Sequence, residues 1–164
     1  MKALNHDERS QAIMNAHSQM VSRIIDVMNC KHLTENGSPL WTNKHICGTA
    51  KIDYPFVDIL STNPETGVEV RTSVTIKSPW YDKNFCVQVG KYDVLDAMYV
   101  TNNIFDYVDY FAFVTPTHVY FVPSKTIKDN FEKFTMKEDE QRVAKFLLVP
   151  LDFIVSNSVR KLAI

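Results

Sequence analysis

Asp58 lies in the apolar stretch "YPFVDILST" (54–62), and Lys77 closes the polar row of the next one, "VEVRTSVTIKSPW" (68–80). A carboxylate and an ammonium group brought side by side suit one chemistry well. A carboxylate oxygen holds Mg²⁺ or Mn²⁺ beside a phosphodiester, and the cation stabilises developing charge or positions the attacking water. Each residue also has a plainer explanation. Asp58 is then a solvated residue near a turn, and Lys77 a strand-end lysine reaching water.

Whether the two groups meet depends on the elements that carry them. "NPETG" (63–67) reads as a tight reversal, with Pro after Asn and a Gly at the exit. After it, Val68, Val70, Thr72, Val74 and Ile76 alternate with Glu69, Arg71, Ser73, Thr75 and Lys77, which predicts a strand with one apolar and one polar face. If Asn63 pairs with Val68, Asp58 faces Ser73 and shares a face with Thr75 and Lys77, at neighbour distances of about 5 to 8 Å. A slip of one residue would send Asp58 to the other face.

Around this hairpin the periodicity predicts a helix over 7–30, with Ile13, Met14, Met20, Val21, Ile24, Ile25 and Met28 on its buried stripe and His17 beside them as a hydrogen-bonded, semi-buried residue. Strands are expected at 45–52, 54–62, 68–77, 106–114, 118–123 and 142–150, and helices at 87–103 and 124–134, the latter capped by Ser124. "KEDEQR" reads as exposed polar chain, and the last residues as a terminal helix or tail. A helix between the third and fourth strands makes a crossover. The expected fold class is therefore α/β, a mixed central sheet flanked by helices, in one domain over residues 1–164.

Composition sets the outer limits. The chain of 164 residues is 45% hydrophobic and 23% charged, with four glycines and seven prolines, an ordinary globular balance. Its formal net charge of −1 gives no global basic field, so nucleic-acid contacts must come from local patches. No apolar run is long enough for a membrane span, and the N-terminal residues carry no apolar leader segment. Three widely spaced cysteines suit reduced thiols, hence a cytoplasmic setting. The abundance of Asn, Lys, Ile, Tyr and Phe fits an AT-rich genome such as a phage's.

At "FVDIL … VTIKS" the chain resembles the two-strand core of the PD-(D/E)XK nuclease superfamily, the restriction-endonuclease-like fold (α-β-β-β-α-β). The resemblance implies that Asp58 is the metal-binding aspartate and Lys77 the catalytic lysine. "QVGKY" resembles the Q-x-x-x-Y motif of the RecB-like branch, so Gln88 and Tyr92 would orient the lysine and the DNA from one helix face. "DYFAFVTPTHVYFVPSKTI" resembles the closing strand pair and helix of small members, and the likeness runs in element order over about residues 8–134. Implied with it are Mg²⁺ or Mn²⁺, a DNA substrate, and endo- or exonucleolytic hydrolysis.

One position departs from the pattern. The family places Asp or Glu two residues before the lysine, and here Thr75 stands there, a poor Mg²⁺ ligand. Glu69 shares its face but lies roughly 20 Å away along the strand. The Ile76 carbonyl and a carboxylate of the first helix, Glu8 or Asp26, are the remaining candidates for the metal shell. A second reading follows from this departure: an inactive module on the same fold that binds DNA or a protein partner, or pairs as a homodimer. Trp80, Tyr81, Tyr107 and Tyr110 are candidates for base stacking or plain packing, and Lys83, Lys91, Lys125, Lys128 and Lys133 for phosphate contacts or plain solvation.

Overall fold

The computed structural model describes residues 6–31, 41–46, 53–76, 83–93, 98–101, 104–139 and 144–164. Lys77, Trp80 and Tyr81 lie outside them. Helix α1 (His6–Lys31) leads to strands β1 (Thr42–His45), β2 (Ile59–Thr62), β3 (Glu69–Ile76), β4 (Asn84–Asp93) and β5 (Met98–Thr101). Then follow α2 (Ile104–Tyr107), β6 (Tyr110–Val114), β7 (His118–Pro123), α3 (Ser124–Asp129) and a 3₁₀ turn (Phe131–Lys133). Strands β8 (Thr135–Asp139) and β9 (Ala144–Pro150), helix α4 (Leu151–Asn157) and strand β10 (Arg160–Ala163) complete the order.

The described strands form two sheets, one ordered β1-β2-β3-β6-β7-β10 and the other β5-β4-β9-β8. In the first, β3 runs parallel to β6 while its other pairs are antiparallel. The class is mixed α/β with helices on the sheet, as expected, but the described strands divide between two sheets, and β4, β5 and the four-residue α2 stand where a single crossover helix was expected. No helix among the described residues is long and apolar enough to cross a membrane.

Alternation along the central strands explains the layers. Ala112 and Val114 of β6 and Val119 and Phe121 of β7 join Val21, Ile24, Ile25 and Met28 of α1 on one face. Phe111, Phe113 and Val122 turn the other way and meet Phe85 and Val87 of β4 and Leu147 and Val149 of β9. A run such as "YFAFV" is apolar throughout because both of its faces are covered. The same sandwiching corrects the reading of β3 as half polar, because Ser73 is only 9% exposed. It also limits α1. A helix of 26 residues is about 39 Å long, whereas the eight residues of β3 span about 26 Å. The helix overhangs, and Ile13 and Met14, expected inside, are 61% and 64% exposed.

The expected helix over 87–103 is instead strand wherever it is described. Phe85, Val87 and Val89 are buried while Gln88 is exposed, a period of two, and β4 pairs with β9 along most of its length. The helix reading rested on Val94, Leu95, Met98 and Tyr99, and was carried back over a stretch whose own alternation is that of a strand. Lys137 and Glu138 are exposed, as expected of that polar chain, but 137–139 belong to edge strand β8, with Glu138 opposite Lys145 and their charges 3.4 Å apart. The tail forms α4 and then β10, which pairs with β7. Ser124 does not cap α3. Its buried hydroxyl donates to the Val108 carbonyl at 2.6 Å. Ser124→Ala should therefore leave that carbonyl unpaired and cost about 1–3 kcal/mol in a denaturant titration, rather than fraying α3 alone.

Candidate active site

The β2–β3 hairpin sits in the register the turn chemistry predicts. Asn63 N–H donates to the Val68 carbonyl at 2.9 Å, and Ile59 pairs with Thr72. Asn63 Oδ1 accepts from the amides of Glu65 and Thr66, and Gly67 takes a positive φ of 72° at the exit. That local bracing holds the register, because only glycine adopts such a φ without strain.

At Asp58 the two strands part. Its amide donates to the Thr72 carbonyl at 2.9 Å and its own carbonyl accepts from Ile46 on the β1 side. Two residues earlier Phe56 has φ 66°, an uncommon left-handed conformation for an aromatic residue, and the chain swings away from β3. Val74 would be the next residue of β3 to bond across this gap. Its amide donates instead to Asp58 Oδ2 at 2.8 Å. Its carbonyl accepts from His17 Nε2 of α1 at 3.0 Å, so that nitrogen carries the proton. His17 Nε2 and Asp58 Oδ2 are 3.9 Å apart.

Asp58 is thus 7% exposed, and its carboxylate and the imidazole of His17 together occupy the edge that β2 leaves open. A buried backbone pair without partners is costly, which gives both side chains a structural task. His17→Leu should lower stability by about 1–3 kcal/mol, read by thermal or chemical unfolding, by stranding the Val74 carbonyl. His17 is the hydrogen-bonded, half-buried residue its place on the helix stripe predicts.

The other sequence candidates fall around this point as follows. Ile76 ends β3, pairs with Val114 and packs its half-buried side chain against the α1 layer. Backbone groups of alternate residues face the same neighbour. Arg71 bonds toward Asp109, before β6, and Thr72 toward Asp58, so Ile76, like Val74, turns its carbonyl to the side that β2 has vacated. Thr75 is half-buried opposite Phe113, and its side chain lies on the face away from α1. Glu8 is exposed on α1, nine positions before His17, about 13 Å along the axis. Asp26 is exposed a similar distance the other way. Glu69 is engaged at the far end of β3, where it accepts from the Tyr54 hydroxyl at 3.1 Å and lies 3.8 Å from Arg71. The bond to Glu69, more than any other influence, holds the Tyr54 phenol above its ordinary pKa.

Gln88 and Tyr92 lie on strand β4 rather than a helix, which corrects the i,i+4 argument for their common face. Gln88 is exposed and pairs with Phe146, while Tyr92 pairs with Tyr99. A register shift between Gln88 and Gly90 means that even spacing no longer guarantees one face. Lys77 lies outside the described residues, as does the chain directly after it. Among the described residues no three His, Cys, Asp or Glu side chains are grouped to hold a metal. Of the lysines expected near phosphate, Lys125, Lys128 and Lys133 are exposed on α3 and the 3₁₀ turn, and Lys128 lies 3.8 Å from Asp106.

Sequence reasoning singled out Asp58 but missed its burial and its bond to Val74. No local signal marks that contact, because it depends on where β2 bends away. No family model, no curated protein and no solved structure matches this chain.

Proposed function

We propose that the chain is a metal-dependent deoxyribonuclease of the restriction-endonuclease-like kind, hydrolysing DNA phosphodiesters at the opening between β2 and β3. The observation that carries this reading is the Asp58 carboxylate at the divergence of the two strands, beside a strand edge that also presents the Ile76 carbonyl. Within the first sheet α1 is followed by the antiparallel strands β1, β2 and β3, and β6 runs parallel to β3, which supports it; between β3 and β6 stand β4, β5 and the four-residue α2 where the resemblance implies one helix.

The donors the resemblance implies for Mg²⁺ are few, and Asp58 Oδ2 already accepts from the Val74 amide. Asp58 and the Ile76 carbonyl offer two oxygens, and Mg²⁺ commonly takes one or two carboxylates with substrate phosphate and water. When bound, the ion would neutralise phosphate charge and favour ionisation of water. Asp58 would anchor it, with its carboxylate oriented by the Val74 amide and flanked by His17. Glu8 remains the helix carboxylate proposed to complete the shell. Lys77 would donate to the phosphate or the attacking water, with Gln88 and Tyr92 as positioning groups for lysine and DNA.

Thr75 favours a second reading: a module on the same fold that binds DNA or a protein partner, or pairs as a homodimer, without cutting. Incubation with supercoiled plasmid and with linear single- and double-stranded DNA, in Mg²⁺ or Mn²⁺, separates the two. Cleavage lost in folded Lys77→Ala supports the nuclease. No cleavage by the wild type, together with DNA or protein capture, supports the module. Activity gained by Thr75→Glu would identify a nuclease scaffold whose acidic position has been lost.

A further inference from the structure

A cavity of about 390 Å³ lies on the first sheet beside Met28, near the C-terminal end of α1, with Ser61 of β2 and Val70 and Thr72 of β3 in its floor. Its walls are largely apolar, with Met28, Trp41, Val70, Tyr110 and Phe121 contributing. Two of its polar residues are already engaged. Ser61 donates to Asn43 Oδ1 at 2.6 Å, and Asn43 Nδ2 donates to Asn29 at 2.9 Å. Arg160 is different. It enters the wall from β10, directly across from Phe121 in the ladder, with its guanidinium carbon 5.4 Å from that ring's centre. Its Nη2 is buried and finds no acceptor among the described residues. Burial pulls the pKa of Arg160 down, yet a guanidinium keeps its charge in proteins.

A buried cationic N–H without an acceptor calls for an explanation. The ladder places Arg160 here, and stacking on Phe121 covers the face of the guanidinium but gives its edge no acceptor. The volume is that of a small-molecule site, and such sites pair apolar walls with a few orienting polar groups. We propose that this cavity binds a small monocarboxylate with an apolar body, its carboxylate against the edge of the Arg160 guanidinium and its body against the Trp41, Tyr110 and Phe121 rings. A planar carboxylate matches the guanidinium fork. A phosphate, more highly charged and hydrated, would leave most of its oxygens facing apolar walls. The site is independent of the nuclease reading.

The test uses the full chain, calorimetric titration and thermal shift, with octanoate, 3-phenylpropanoate, 1-octanol and dAMP as probes. At least one carboxylate should bind saturably, one per chain, and raise the unfolding temperature; the better of the two reports an aliphatic or an aromatic body. 1-Octanol should bind at least about tenfold more weakly than octanoate, the scale of losing one charge-assisted hydrogen bond. Arg160→Met should reduce carboxylate affinity by a similar factor and leave 1-octanol nearly unchanged. Val70→Phe, which fills the cavity without touching the charge, should block all binding. The proposal is overturned if neither carboxylate binds the wild type, if 1-octanol matches octanoate, or if dAMP binds better than both acids. Undiminished carboxylate binding by either folded variant overturns it too. If Arg160→Met does not fold, Val70→Phe and the wild-type comparison still decide.

Discussion

On the proposed nuclease reading, Asp58→Asn should fold nearly as well as the wild type and yet lose at least about 100-fold in DNA cleavage, a fall of the size seen when a metal site loses even a second-shell partner. The asparagine keeps an oxygen that can accept from the Val74 amide, now bonded to Asp58 Oδ2 at 2.8 Å, but it no longer brings a negative charge to a cation. Asp58→Ala removes both. It leaves a buried amide unpaired, at a cost of about 1–3 kcal/mol by denaturant unfolding. The two variants thus separate the structural role, which the hydrogen bond makes certain of a test, from the proposed catalytic one. A wild type that cleaves and an Asp58→Asn variant that cleaves as fast would end the metal-anchor role. An Asp58→Ala variant as stable as the wild type would show that the edge of β3 needs no cap.

Phe113→Ala should be the most damaging single truncation, costing about 3–5 kcal/mol. Phe113 is fully buried on β6 and meets Phe85 of β4 edge-on, with ring centres 5.2 Å apart. Phe111 lies 6.0 Å away on its own strand. The contact with Phe85 joins the two sheets, so the cavity left behind would sit between layers with little freedom to collapse. The measurement is the free energy of unfolding at equilibrium, with Phe113→Leu as the control that refills most of the volume. A loss below about 1 kcal/mol would mean that the sheets are not held together there.

What was legible in the chain follows from the range of the forces involved. The β2–β3 register could be read because Asn63, Pro64 and Gly67 build their turn from neighbours within a few residues. Strands β6 and β7 were legible because their apolar runs are short and bounded by "TPT" and Pro123. Strand β4 was not. The helix reading rested on Val94, Leu95, Met98 and Tyr99 beyond it, whereas Val87 and Val89 alternate as a strand does, and the choice was made by β9, whose Phe146 lies opposite Gln88 from far along the chain. Strand β10 was missed for the same reason, since "RKLA" becomes a strand only against the free edge of β7.

By itself the sequence determined the long first helix, the hairpin and its register, and the mixed α/β class, because turn chemistry and apolar periodicity act between near neighbours. Only the tertiary structure decided which strands share a sheet, that both faces of β3 are covered, and that Asp58 and His17 close on Val74. Each of these depends on backbone groups whose partners are set by where other elements stop. A residue's type shows what it can bond to, but the fold determines which of those bonds it makes.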